Sequence, residues 1–185
     1  MAAAAALVVL LAGCGSSSDG PSLTGKVDVP KGYVVYRAAG YSFVVPSGWR
    51  SSPYRTSPAR SGVQFATPGR TPLGDAYPFV ETLLAGPTAG ESSSADFADL
   101  IADLRAEQTT ILPSHQALAD NVTVTSVKVP NASQARMVTV LGPGQRHERD
   151  LVALTSQGVL ELRVAWYPSD EPLTPDVVID SLRLH

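Results

Sequence analysis

The chain carries a single cysteine, Cys14, at the end of an apolar run from Ala2 to Ala12 that closes in Leu11-Ala12-Gly13-Cys14. One thiol closes no internal disulfide, so whatever folds here is held by its hydrophobic core alone. The apolar run is helix-forming but short: it rises only about 18 Å, against a hydrocarbon core of about 30 Å. A short apolar segment ending in small residues is the pattern of a removable signal peptide. The small Ala12 and Gly13 directly before the cysteine, with Leu11 ahead of them, make it a bacterial lipobox. Cys14 is then the lipid attachment residue: a diacylglyceryl group goes on its sulfur and it becomes the mature N-terminus. One acyl chain binds a membrane reversibly, whereas two hold it stably. The bland alternative is an Ala-rich terminus with an incidental cysteine, but the Gly/Ser run that follows fits a tether better. No Lys or Arg precedes the apolar run, so a basic n-region is expected upstream of Met1.

The division that follows is residues 1–13 as lipoprotein signal peptide, 14–32 as flexible tether and 33–185 as one folded domain. Gly15-Ser16-Ser17-Ser18-Asp19-Gly20-Pro21-Ser22 has almost nothing to bury. About 170 residues after cleavage suit one domain with an ordinary core. The net charge of −3 offers no basic field for nucleic acid. Arginine outnumbers lysine 11 to 3, and alanine is abundant, a bias of high-GC genomes that together with the lipobox points to an actinobacterium.

The first strands are expected at Tyr33 to Arg37 and Tyr41 to Val45, with Tyr41, Phe43 and Val45 on one face. Pro46 stops the second strand, Ser47-Gly48 turns, and Trp49 folds back as an apolar plug. Residues 51–62, rich in Ser, Pro and Arg, read as a loop. Short strands follow at Val63 to Ala66 and at Pro78 to Ala85, the second apolar on both faces and so central. A helix from about Ser94 to Gln108 carries the stripe Phe97, Leu100, Ile101 and Leu104, with Asp99, Asp103 and Arg105 away from it. From Asn121 strand follows strand. Val122 to Val129 changes phase near Ser126, which predicts a bulge. Ala135 to Leu141 is next, and Arg149 to Thr155 and Val159 to Tyr167 form a hairpin across Ser156-Gln157-Gly158. In the last of these Leu160, Leu162, Val164 and Trp166 point inward and Glu161 and Arg163 outward. A closing helix begins at Thr174-Pro175-Asp176 and buries Val178, Ile179 and Leu182.

Gly40-Tyr-Ser-Phe-Val-Val-Pro-Ser-Gly-Trp49 resembles the entry motif of the PsbP-like superfamily, an aromatic strand closing in P-x-G-W. The ending Ile179-Asp-Ser-Leu-Arg-Leu184 resembles the closing helix of the same group. Within it, the chain is most similar to the actinobacterial LpqN-type lipoproteins. The resemblance covers residues 33–185 in element order and rests on those two motifs. It implies an α+β fold, an α-β-α sandwich with a central antiparallel sheet flanked by helices. It also implies a domain that binds or stabilises other proteins.

Residues able to carry chemistry are scattered. His115, His147 and His185 show no metal-ligand spacing. His147 and Glu148, in Gln145-Arg146-His147-Glu148-Arg149-Asp150, read as a solvated turn rather than a catalytic base. No serine lies in G-x-S-x-G or S-x-x-K, and neither a phosphate loop nor a calcium series is present. The sequons at Asn121 and Asn131 read as chance. Arg50, Arg55, Arg60 and Arg70, with Tyr54, make a candidate basic patch for anionic lipid or an acidic partner, against the simpler reading of scattered solvated arginines.

The sequence therefore predicts a non-catalytic binding or scaffold domain on the extracytoplasmic face of the cell membrane. It is expected to be a monomer without cofactor, metal or nucleic acid, docking an envelope protein or a small apolar ligand. One alternative is an envelope hydrolase whose Ser-His-acid set is hidden by spacing, with His115 and Asp120 the suggestive neighbours. The other is a single-lobe lipid or solute carrier, which requires a closed apolar pocket where a scaffold has a filled core.

Overall fold

A computed structural model describes residues 28–57, 60–68, 78–86, 93–110, 122–141, 147–167 and 173–185. Among these, ten strands form two antiparallel sheets. The smaller has the order β1 (Tyr33–Ala38), β2 (Tyr41–Pro46), β10 (Arg183–Leu184). The larger runs β3 (Arg50–Ser57), β4 (Arg60–Ala66), β5 (Phe79–Ala85), β9 (Gly158–Trp166), β8 (His147–Thr155), β7 (Gln134–Leu141), β6 (Val122–Ser126). Helix α1 (Ser93–Thr110) lies on one face of the large sheet, and α2 (Pro175–Asp180) belongs to the other. The fold is α+β.

Both faces of the large sheet are inside. On the first, Val63, Phe65, Val80, Leu151, Leu160, Leu162 and Val164 pack against Tyr41, Phe43 and Val45 of β2 and Val178 and Ile179 of α2, with Leu182 just beyond it. On the second, Val138, Val152, Leu154 and Val159 pack against Phe97 and Leu104 of α1, with Leu100 and Ile101 beside them. The predicted helical stripe is the stripe that docks. The first face is thus covered mainly by a second sheet, with only the six-residue α2 beside it. Aromatic rings join the two sheets there: Tyr36 lies edge-on to Phe65 at 4.9 Å, and Phe43 edge-on to it at 5.9 Å. Tyr41 reaches through, its hydroxyl 3.0 Å from Thr82 Oγ1. Tyr41→Phe leaves the buried Thr82 hydroxyl without this partner and is expected to cost about 1–2 kcal/mol in chemical denaturation.

Several sequence readings change. Residues 51–57 and 60–62 are not loop but β3 and the start of β4, paired from Arg50↔Ala66 to Ser57↔Arg60. β3 is an edge strand, where one side of the backbone has no ladder to complete, so Pro53 is tolerated. The phase change near Ser126 ends β6 instead of bulging it. Val122 and Val124 pack toward α1, while Val127 and Val129 join the opposite core, so the chain changes face there. The closing helix stops at Asp180, and Arg183 and Leu184 pair with Ser42 and Tyr41 as β10. The hairpin at Ser156-Gln157 is as expected. Gly158 closes it at φ +127°, where a Cβ would strike the Ala85 carbonyl.

Candidate functional site

The face of the large sheet under α1 carries a row of charged and polar side chains inside the protein. Strand register builds it. Gln64 on β4 is opposite Glu81 on β5, Glu81 is opposite Arg163 on β9, and Arg163 is opposite Asp150 on β8. A period of two then adds Glu148 beside Asp150 and Glu161 beside Arg163 on the same face. Glu148 and Asp150 are fully buried, Glu161 is 4% exposed and Glu81 7%.

Arg163 is the hub. Its Nε donates to Asp150 Oδ1 at 3.0 Å and lies 3.4 Å from Glu148 Oε1, while Nη2 lies 3.2 Å from Glu161 Oε1. At the far end Gln64 Nε2 donates to Glu81 Oε2 at 3.1 Å. Burial pushes the Asp150 carboxyl well above the ordinary carboxylate range, and the negative charge of Glu148 pushes it further. Arg163 opposes that shift, and Glu161 adds to it. Asp150 Oδ2 and Gln64 Oε1 are buried with no hydrogen-bond partner among the described residues.

A cleft of about 210 Å³ opens onto this row. Glu81, Glu161 and Arg163 line it from the sheet, Arg60 enters from the start of β4, and Asp103, Leu100 and Leu104 come from α1, with Leu83 beneath. These side chains bind charge and exclude water. Asp150, whose raised proton affinity resembles that of a catalytic acid, is not in the cleft wall and is tied to Arg163.

Two sequence readings are corrected here. Glu161 and Arg163 do not point into solvent; they lie under α1. His147 and Glu148 are not a solvated turn but the first residues of β8, with the His147 ring edge-on to Trp166 at 5.5 Å and Glu148 wholly inside. The signal was present as charged residues two apart, Glu148/Asp150 and Glu161/Arg163, within apolar strands, and as Glu81 inside Phe79-Val-Glu-Thr-Leu-Leu84.

Other candidates are dispersed. Cys14, His115, Asp120, Asn121 and Arg70 lie outside the described residues, as do the side chains of Tyr54, Arg55 and Arg105. Arg50 and Arg60 begin successive antiparallel strands, so they sit about 20 Å apart at opposite ends of the hairpin. Arg60 faces the acidic cleft and does not share a patch with Arg50. His185 Nε2 is 3.0 Å from the buried Ser42 Oγ, which ties the C-terminus to β2. Asn131, at φ +66°, donates its side-chain amide to the Leu184 carbonyl at 2.8 Å. Among the described residues, no group of three or more His, Cys, Asp or Glu is arranged to hold a metal ion, and no helix is long and apolar enough to cross a membrane.

What these elements define is an antiparallel α+β domain with an ionic row held between sheet and helix. Among solved structures, the chain is similar to the solution structure of cyanobacterial PsbP (CyanoP) from Synechocystis sp. PCC 6803. The identity is 15% and the TM-score 0.48, and the match covers 92% of this chain and 99% of that one. No protein-family model matches the chain, and no curated protein matches it.

Proposed function

We propose that this chain is a lipid-anchored lipoprotein of the bacterial envelope whose folded domain binds a partner and catalyses no reaction. The observation that carries the reading is the Leu11-Ala12-Gly13-Cys14 lipobox followed by a Gly/Ser tether. Residues 1–13 are removed, Cys14 is diacylated, residues 14–32 lift the domain off the headgroups, and residues 33–185 face the extracytoplasmic side. The Gly40–Trp49 motif and the Ile179–Leu184 ending assign the domain to the PsbP-like class, nearest the LpqN-type lipoproteins of actinobacteria. In that class a central antiparallel sheet lies between helices, a reading supported by α1 against one face of the large sheet and by α2 beside the small sheet at the other.

The cleft under α1 supports binding over catalysis. Its wall is made of arginine, glutamate, aspartate and leucine, groups that attract and orient charge, whereas the envelope hydrolase reading requires a nucleophile beside a base. Its polarity favours a charged ligand or an envelope protein over a purely apolar ligand, and so disfavours the lipid carrier. The domain acts as a monomer.

Growth with an alkyne fatty acid, followed by mass spectrometry of the membrane fraction, tests the anchor. The mature N-terminus is expected at Cys14 with a diacylglyceryl group, and Cys14→Ser is expected to lose the label completely. A secreted, unlabelled wild-type chain would overturn the reading. Crosslinking in the same membranes is expected to recover one recurrent envelope protein.

A further inference from the structure

A sheet edge is a row of main-chain donors and acceptors with no ladder to complete, and proteins blunt such edges with charge, proline or brevity. The two sheets have four edges, β3 and β6 on the large one and β1 and β10 on the small one. β3 begins with Arg50 and carries Pro53, which has no N–H to offer. β10 is two residues long. In β1 the Gly32 carbonyl accepts from the Ser47 N–H at 2.7 Å, which puts the even-numbered residues on the β2 side and turns Tyr33, Val35 and Arg37 outward. Of these, the Tyr33 N–H already donates to the Pro30 carbonyl, and Arg37 is an exposed charge. β6, Val122-Thr123-Val124-Thr125-Ser126, has neither charge nor proline nor glycine.

The phase of the β6 ladder identifies the groups it offers. The Val127 N–H donates to the Ala135 carbonyl at 3.3 Å, in register with the pairs Val122↔Val140 to Ser126↔Arg136. Bonded and non-bonded pairs alternate in an antiparallel ladder, so Thr123 and Thr125 bond to β7. The N–H and C=O groups of Val122, Val124 and Ser126 then point outward. Among the described residues nothing pairs with them on that side. The side chains divide by face. Val122 and Val124 are half-buried against the cluster under α1, whereas Thr123 and Thr125 are exposed on the other face.

We infer that β6 is a docking edge, to which an extended, uncharged segment of a partner protein adds as an eighth, antiparallel strand of the large sheet. Residues opposite one another across a ladder share a face, so those facing Val122 and Val124 are apolar and extend the α1 cluster. Those facing Thr123 and Thr125 carry hydroxyls. A second copy of this chain has a suitable strand in β6 itself, but size argues against it. Five residues make an edge about 17 Å long and about 10 Å deep, a small fraction of the roughly 800 Å² per partner buried in a stable complex of folded domains. A flexible segment is not confined to the edge, since its flanks are free to follow the surface on either side. The inference rests on the reading of the domain as a binding module and gives the partner a place on it; it is independent of anchoring at Cys14.

The test is residue-resolved amide exchange by NMR on the full chain in detergent micelles. It is run with and without a synthetic peptide whose central five residues are Val-Thr-Val-Thr-Val, with a lysine at each end for solubility. In the free chain the Val122, Val124 and Ser126 amides are expected to exchange quickly and those of Thr123 and Thr125 slowly. Saturating peptide is expected to slow the first three by at least about tenfold and to leave the two threonines, and Val35 of β1, unchanged. A control peptide with proline in place of its three valines, which removes the donors that face β6, is expected to have no effect. Val124→Pro deletes an outward N–H without breaking the β7 ladder and is expected to abolish the peptide effect with little change in Tm. No slowing of the three amides at saturation, equal slowing throughout β6, or the same effect from the proline peptide would each overturn the proposal. So would slow exchange of the three amides in the free chain, which, where it depends on protein concentration, would make a second copy the occupant. These wild-type measurements decide it even where Val124→Pro fails to fold, and a negative result leaves the Cys14 labelling test untouched.

Discussion

Replacing Arg163 with methionine is expected to destabilise the domain by about 3–5 kcal/mol at neutral pH, the range for breaking a buried ionic group by removing one partner. Methionine keeps much of the volume and the unbranched stem, so the loss isolates the guanidinium. Three carboxylates within 3.4 Å of its nitrogens lose a cation they share, and two of them, Glu148 and Asp150, have no exposure to water. The defect is expected to shrink at acidic pH, where protonation neutralises the orphaned acids, so urea midpoints of wild type and variant converge as pH falls. Combining Arg163→Met with Asp150→Asn and Glu148→Gln is expected to recover much of the stability. An apolar or neutral replacement of a whole buried ionic group is often close to neutral. A similar loss in the single and triple variants would mean that Arg163 acts through packing instead of charge.

That hub shows where sequence and structure part. The alternation Leu160, Leu162, Val164 reads correctly as one inward face, and its phase also identifies the residues of the other. What alternation leaves undetermined is whether that other face meets water. The charge of Glu161 and Arg163 implies solvent, but a sheet with α1 on one side and β2 on the other has two interiors. The answer depends on α1, about 60 residues earlier in the chain, and on register: Arg163 meets Asp150 only because β8 and β9 pair through a two-residue turn. Glu148 and Asp150 were hidden for a related reason. In a run with Arg146, His147 and Arg149 they resemble a turn until their cross-strand partners are known. The segment from Arg50 to Ser57 fails differently, because an edge strand has no need to be apolar on either face. Local chemistry was legible at turns and at the amphipathic helix: the turn at Gly48, the hairpin at Ser156-Gln157, the α1 stripe and the Thr174-Pro175 helix start all stand where the residues imply. Arg183 and Leu184 lie beyond that reach, since their pairing with β2 spans most of the domain.

The layer that sequence reads best is also where a single truncation should be most costly. Phe43→Ala is expected to lose about 3–5 kcal/mol, at the upper end for core deletions. The ring has no exposure, stands in a strand buried along its whole length, and lies 5.4 Å from Tyr36, 5.9 Å from Phe65 and 6.3 Å from Tyr41 by ring centroid. Its neighbours are poorly placed to collapse into the space. Tyr41 is held by Thr82, and β2 is fixed on both sides by β1 and β10. Backbone movement is further limited by Ser181 Oγ, which accepts from the Val44 amide at 2.8 Å. The cavity therefore persists, and its cost adds to the lost transfer energy. Val34→Ala, on the neighbouring strand at 48% exposure, is the control and is expected to change stability by less than about 0.5 kcal/mol. Because Phe43 joins the small sheet to the large one, the variant should expose β1 and β10 amides to exchange before those of β8 and β9. If all four strands open together, the two sheets form one cooperative unit.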